Sequence, residues 1–253
     1  MDHIIEVIGL VKKYNGNPVI NGLNLEIPEG SIFGLIGPNG AGKSTLIGIL
    51  TGILGYDDGS VYVDGLNFSE ENESVIKSRT ASVMQPPLLF EHFSSYDFLT
   101  YVCDMYGIPE EHRQDKITAL LSYLGIEEFQ YAKISKLSSG SRKKLSFCAA
   151  VLSQPKILFL DEPFESVDVI SIGRMKTILR KLKENGISII ITSHILEIVE
   201  NLCDDIAILH EGEVIAYLDS ETRKELQKDS SLSEIFEHYV KVDHPGDDVL
   251  SWL

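Results

Sequence analysis

Gly37, Gly42, Lys43 and Ser44 stand at the spacing glycine, four residues, glycine, lysine, serine, within the stretch Gly37-Pro38-Asn39-Gly40-Ala41-Gly42-Lys43-Ser44-Thr45. Glycines at this spacing let backbone N–H groups turn onto an anion without a side chain in the way. A helix that starts at the end of such a loop points its positive end at the same place. A lysine there reaches outer phosphates, and a hydroxyl there is a ligand for Mg²⁺. The plain alternative is a glycine-rich turn with an exposed lysine. The flanks decide against it: the apolar run Ile32 to Ile36 reads as a strand before the loop, and Lys43 to Thr51 as a helix after it.

Three further groups have useful chemistry and lie at the ends of apolar runs. Asp161 and Glu162 follow Ile157-Leu158-Phe159-Leu160, a run with the texture of a strand buried on both faces. The carboxyl ends of such strands are where α/β folds hold ligands. There the first acid suits Mg²⁺ and the second suits polarising a water; two acids before Pro163 also fit a helix start. His194 ends the next buried run, Ile187 to Ile191 followed by Thr192-Ser193. Its imidazole has the chemistry to touch a terminal phosphate or an attacking water, or it is a structural group. Gln85 ends a shorter run, Ala81 to Met84, ahead of Pro86 and Pro87. Its amide suits a metal or a water; the alternative is a turn residue.

These residues need a scaffold, and the pattern of the chain supplies one. Strands are expected at Ile4 to Leu10 and Val19 to Ile27, with a turn at Asn15-Gly16 between them, and at Ser60 to Val63 after a turn at Asp57-Asp58-Gly59. From about Ser94 to Leu124 apolar residues recur at helical spacing. Ser138 to Ser141 is small and flexible and precedes a helix from about Arg142 to Leu152, a second anion-binding geometry or a plain helix cap. Helices at Ile172 to Glu184 and Leu196 to Leu202 alternate with strands at Ile187 to Ile191 and Ile206 to Leu209, and a hairpin at Glu211-Gly212 returns through Val214 to Leu218. Strands alternating with helices imply an α/β fold with a mostly parallel sheet. Two short amphipathic helices, Thr222 to Gln227 and Leu232 to Val240, precede an acidic, proline-containing and loose end.

Composition narrows the function classes. The chain has 253 residues, net charge −16 and 24% charged residues. Such an acidic chain lacks the basic excess needed to displace counterions from nucleic acid, and the local clusters Arg142-Lys143-Lys144 and Arg180-Lys181 with Lys183 read as solvated helix faces. The 3 cysteines are scattered, without metal-ligand spacing, and read as small buried residues kept reduced. The N-terminal residues lack the pattern of a signal peptide. No apolar run approaches the ~18–20 residues that span a bilayer, so a membrane role requires a second polypeptide.

Taken together, these residues resemble the nucleotide-binding subunit of an ABC transporter, over about Ile4 to Leu218. Gly37 to Thr45 matches the Walker A loop, Ile157 to Glu162 the Walker B strand with its catalytic glutamate, Gln85 the Q-loop, His194 the switch histidine, and Tyr14 the aromatic that stacks on adenine. The resemblance implies a P-loop (RecA-like) α/β core with an antiparallel β subdomain and an inserted α-helical subdomain at about 90–152, the whole domain spanning 1–218 with a short helical tail at 219–253. It implies ATP and Mg²⁺ as ligands: Tyr14, residues 37–45 and Gln85 on the nucleotide, Ser44, Gln85 and Asp161 on the metal, and Glu162 with His194 as catalytic residues. It also implies two such domains paired head to tail as a homodimer or heterodimer, with Ser138, Gly140 and Asp168 of each facing the other's nucleotide, and a separate transmembrane permease docked near Gln85 to about Tyr101, where Pro87-Leu88-Leu89-Phe90 is apolar. The expected location is cytoplasmic, on the inner face of the cell membrane.

Two segments depart from the family pattern. The usual Leu-Ser-Gly-Gly-Gln signature is Leu137-Ser138-Ser139-Gly140-Ser141 here, and Ser166-Val167-Asp168 keeps only the aspartate of the D-loop. Slowed hydrolysis, or a pairing with unequal composite sites, would follow. The tail Ser231 to Phe236 resembles drug- and bacteriocin-resistance exporters. The competing readings are a soluble ABC ATPase of translation or DNA repair, and a regulatory subunit that hydrolyses ATP weakly.

Overall fold

The computed structural model describes residues 3–226 and 230–240. In chain order the elements are β1 (His3–Tyr14), β2 (Asn17–Pro28), β3 (Ile32–Ile36), α1 (Lys43–Leu50), β4 (Asp58–Val63), β5 (Leu66–Asn67), α2 (Glu73–Arg79) and β6 (Thr80–Val83). Then come α3 (Ser95–Met105), α4 (Arg113–Tyr123), α5 (Ser139–Leu152), β7 (Ile157–Asp161), α6 (Val169–Glu184), β8 (Ser188–Thr192), α7 (Leu196–Leu202), β9 (Asp205–His210), β10 (Glu213–Leu218), α8 (Ser220–Leu226) and α9 (Leu232–Val240).

Two sheets share the work. The first is antiparallel, in the order β2-β1-β4-β5. The second has the order β10-β9-β3-β8-β7-β6, with β9, β3, β8, β7 and β6 parallel and β10 antiparallel at one edge. Its central strands are buried along their whole length, which explains their unbroken apolar composition. Alternate side chains enter different cores. Ile157 and Phe159 pack with the antiparallel sheet and α1, whereas Leu158 and Leu160 pack with the helices α3 to α5. The same division separates Phe33 and Leu35 from Ile32 and Ile36.

The parallel register lines up the strand ends. Leu35 stands beside Thr192, Thr192 beside Asp161, and Leu160 beside Val83. Gly37, His194, Glu162 and Gln85 each lie one or two residues further on, so four separate strands deliver them to one edge. Their separation in sequence is closed by ladder hydrogen bonds rather than by any local motif.

Several expectations need correction. Asp58 and Gly59 belong to β4, with Asp58 paired to Val11, because β1 extends to Tyr14 and offers backbone partners there. The helices expected from Arg142 and Ile172 begin three residues earlier, at Ser139 and Val169, because Ser138 and Asp168 cap them. The short elements β5 and α2 carry too few apolar residues to have been legible. No helix starts at Pro163. The cluster Arg142-Lys143-Lys144 is not a solvated face: Lys143 and Lys144 are buried. Arg180 and Lys181 are exposed as expected. The helix α9 docks Leu232 and Ile235 in the main core. Gln227, expected to end a helix, and the acidic end after Val240 lie outside the described residues.

Candidate functional site

The loop from Gly37 to Gly42 joins β3 to α1, and the end of α1 is unusual. Gly42 occupies the cap position with φ +107, and no side chain hydrogen-bonds the first-turn amides. A Cβ on Gly42 would stand 2.9 Å from the Val19 carbonyl oxygen, so both its conformation and its surroundings require glycine. First-turn N–H groups without a side-chain partner, at the positive end of a helix, suit an anion. Lys43 is buried and folds back on its own loop, donating to the carbonyl oxygens of Gly37 (2.7 Å) and Pro38 (3.1 Å). Burial lowers the pKa of its ammonium, with Glu162 and then Asp161 acting in the opposite sense.

The acids at the end of β7 have distinct environments. Asp161 is fully buried and its Oδ1 accepts from the Thr192 hydroxyl at 2.6 Å. Its Oδ2 has no hydrogen-bond partner among the described residues. A buried carboxylate oxygen left without a partner is costly in protein alone, and it fits a group that brings a cation. The Ser44 hydroxyl and the Gln85 amide oxygen line one cleft; with the Asp161 carboxylate they make an all-oxygen donor set, which is the preference of Mg²⁺. No group of three or more His, Cys, Asp or Glu residues suited to a metal occurs among the described residues. A metal here therefore depends on this mixed set together with phosphate oxygens.

Glu162 has φ +48, in the left-handed region that costs a side-chain-bearing residue about 1–3 kcal/mol. The Thr192 Oγ1 accepts its N–H at 3.0 Å. Its carboxylate meets His194 twice: Oε2 lies 2.9 Å from Nδ1 and accepts from the His194 backbone N–H at 3.3 Å. The two residues are 32 apart in sequence. Gln85 is tied at both ends of its amide, donating to Glu165 Oε2 and accepting from Lys143 Nζ.

A cleft of about 760 Å³ gathers Tyr14, Val19, Asn39, Gly40, Gly42, Lys43, Ser44, Thr45, Gln85, Glu162, Glu165 and His194. Tyr14 is half-exposed at the end of β1, with Lys12 Nζ 5.3 Å from its ring centroid. Gly37, Pro38, Ala41 and Asp161 are not among the residues that line it.

Ser138, Gly140 and Asp168 are not in that cleft. Ser138 caps α5, accepting from Ser141 N–H at 3.1 Å, and its hydroxyl lies 3.0 Å from the Ser141 hydroxyl. Asp168 caps α6, accepting from Ser171 N–H at 2.9 Å, with Lys144 Nζ at 3.3 Å. Bonds from Ser171, and then Lys144, hold the Asp168 carboxyl down to a pKa of about 2. One departure from the family pattern, Ser139, has a physical account. Ser139 is exposed and free to vary, while a Cβ on Gly140 would meet the Ser166 carbonyl oxygen at 2.4 Å.

Sequence reasoning does not single out Val19 and Glu165, which line the cleft, or Lys143, which bonds to Gln85. Glu165 lies three residues after Glu162, and its proximity was the available signal. Lys143 had none, since burial of a lysine within a basic run is decided by the elements packed on it.

Comparison with known proteins gives a consistent picture. The family model described as ABC transporter matches residues 20–165. The chain is 32% identical over 237 residues to the lantibiotic transport ATP-binding protein SrtF of Streptococcus pyogenes, covering 94% of this chain and 97% of that one. It is 32% identical to the bacitracin transport ATP-binding protein BcrA of Enterococcus faecalis, over 85% of this chain and 69% of that one. Among solved structures, an ATP-binding subunit of an ABC transporter superposes with a TM-score of 0.85 at 27% identity, covering 93% of this chain and 99% of the other. A dimeric ATP-binding cassette in a post-hydrolysis state with ADP and Pi shares the fold, with a TM-score of 0.78 at 22% identity over 85% of this chain and 98% of that one.

Proposed function

This chain belongs to the ABC transporter family as an ATP-binding, ATP-hydrolysing subunit, and from that premise we propose how its residues divide the work and what it works with. The observation that carries the reading is the meeting of Glu162 with His194 at 2.9 Å, in the cleft that also holds Lys43 and Ser44.

The nucleotide's phosphates sit on the loop from Gly37 to Thr45, where the first amides of α1 and the Lys43 ammonium meet them; Lys43 exchanges its carbonyl partners for phosphate oxygens. Tyr14 stacks on the adenine. Ser44, Gln85 and Asp161 would hold Mg²⁺, whose charge would neutralise that of the phosphates. Glu162 accepts the proton of the attacking water, and His194 holds the Glu162 carboxylate and contacts the terminal phosphate. Lys43 is the one lysine among the residues that line the cleft. Ser138, Gly140 and Asp168 of a second subunit, paired head to tail, complete it. Closure follows ATP binding, because ATP bridges the two subunits, and release follows hydrolysis.

The domain boundaries follow the same reading: the nucleotide-binding domain is 1–218, with the helical subdomain at about 90–152, and 219–253 is a tail. No helix among the described residues is long and apolar enough to cross a membrane; from the transport relatives we infer a separate permease as the substrate's path. Its docking place is the groove beside α3, of about 420 Å³, where Leu88, Phe90, Tyr101 and Met105 are exposed. Phe90 packs within 6 Å of the Phe93, Phe98 and Tyr101 rings, a preformed apolar seat for a short helix. The named relatives handle a lantibiotic and bacitracin, which favours export of a peptide-like compound, with this subunit on the inner face of the membrane. The same relatives weigh against a soluble translation or repair factor.

The test is Glu162→Gln. General-base loss lowers phosphate release by about 10²–10⁴-fold, with ATP binding retained and an ATP-dependent dimer visible by size exclusion. Unchanged phosphate release sinks the assignment of Glu162. Recovery of a polytopic protein with this chain from detergent-solubilised membranes tests the permease.

A further inference from the structure

A lysine is almost never fully buried unless it is paired, and Lys143 on α5 is 3% exposed. Its Nζ donates to the Gln85 Oε1 and, at 2.9 Å, to the backbone carbonyl oxygen of Glu162. The carboxylates facing it are Glu165, Asp161 and Glu162. Glu165 also accepts from the far end of the Gln85 amide, so Lys143, Gln85 and Glu165 form one chain of bonds along the wall of the cleft.

Two consequences follow from where these bonds end. Glu162 is held in its left-handed conformation from both sides, its N–H by Thr192 and its carbonyl by Lys143. Pro163 follows and offers no N–H; the Glu162 carbonyl accepts from the Lys143 ammonium at 2.9 Å and, more weakly, from the Glu165 backbone N–H at 3.4 Å. That backbone setting aims the carboxylate at His194. The second consequence concerns the metal. The Gln85 amide oxygen, one of the three groups suited to Mg²⁺, already has a cation bonded to it. Two cations converging on one oxygen repel.

We propose that Lys143 is a positioning residue for ATP hydrolysis: it sets the Glu162 carboxylate through the Glu162 carbonyl, and it competes with Mg²⁺ for the Gln85 amide oxygen. The inference rests on the ATPase reading above. It gives α5, whose first residues carry the signature loop, a direct mechanical connection to the catalytic glutamate of its own subunit.

The experiment compares the full-length wild type with Lys143→Met, which keeps the chain's bulk, and Lys143→Gln, which keeps a donor without the charge. ATP affinity is measured by calorimetry across a Mg²⁺ series, beside kcat, KM and thermal melting. In Lys143→Met, kcat falls about tenfold or more while the KM for ATP moves less than about threefold, the pattern of a lost transition-state contribution. The Mg²⁺ concentration that half-saturates the gain in ATP affinity falls by about threefold, because the competing charge is gone. Lys143→Gln recovers part of kcat and keeps the lowered Mg²⁺ requirement. In a Gln85→Ala background the Mg²⁺ shift vanishes and the kcat loss stays, the signature of two separate couplings. A folded Lys143→Met protein with wild-type kcat and wild-type Mg²⁺ dependence overturns the proposal. If that variant does not fold, an unaltered Mg²⁺ dependence in Lys143→Gln overturns it. Failure of the wild type itself to bind ATP would instead bring down the ATPase reading.

Discussion

The N-terminus of α1 and the N-terminus of α5 are built to opposite specifications. At α1 the cap is Gly42, no side chain reaches the first-turn amides, and a lysine is folded in close by. At α5 the Ser138 hydroxyl already holds the Ser141 amide and lies against the Ser141 hydroxyl. The first end is complete only with an anion on it. The second already has one first-turn amide held within the chain, so the Ser138 hydroxyl would meet a nucleotide with partners in place. A helix end left without a cap is the more sensitive to ligand, and the capped end is the more sensitive to its own packing.

The largest way to break this contrast is Lys43→Ala. Removing a charged hydrogen-bond donor from the phosphates costs about 1.5–3 kcal/mol, so ATP affinity measured by calorimetry falls by about 10–100-fold. Retained tight binding would mean that the α1 end is a structural turn. At the α5 end Gly140→Ala drives a Cβ against the Ser166 carbonyl oxygen, 2.4 Å away. Overpacking of this kind costs about 1–3 kcal/mol, seen as a lower denaturant midpoint, whereas the exposed Ser139→Gly stays within about 0.5 kcal/mol. Equal effects at the two positions would remove the packing argument. Ser138→Ala costs about 1 kcal/mol through the lost cap and lowers hydrolysis, yet leaves ATP affinity of the isolated subunit unchanged because Ser138 is not in the cleft. A drop in that affinity would place the loop within its own subunit's site.

The smallest effect concerns Asp168. Its folded-state pKa, about 2, lies below the ordinary 3.8, chiefly through hydrogen bonds from Ser171. A depressed carboxyl pKa adds stability that is full above the unfolded value and lost as pH falls through the folded one. The side chain is 56% exposed, so solvent screening keeps the electrostatic part small. The difference in unfolding midpoint between wild type and Asp168→Ala should therefore narrow as pH falls from about 4 to about 2. A difference constant across that range would leave Asp168 as a neutral cap.

Legibility followed the range of the interactions. β3 and α7 were read with their true bounds, as was α9, because each has an apolar pattern and punctuation of its own. The starts of α5 and α6 lie three residues before the expected ones: a cap within Ser138 to Ser141 is legible, but which serine caps, and that Asp168 caps α6, depends on hydrogen bonds to Ser141 and Ser171. α2 and β5 escaped because they owe their form to the sheet edge beside them rather than to periodicity.

By itself the sequence located the glycine loop ahead of α1, the acids at the end of β7 and the histidine after β8, because each depends on residue type at a short spacing along a buried strand. It also determined the family to which those motifs belong. The tertiary structure alone decided that Lys143 is buried against Gln85 and the Glu162 carbonyl, that Gly140 must be glycine because Ser166 lies over it, and that Ser138 and Asp168 stand outside the cleft that Glu162 and His194 share. These are contacts between residues tens of positions apart. They are set by which strands pair and which helix covers them, and no local pattern of residue types records that.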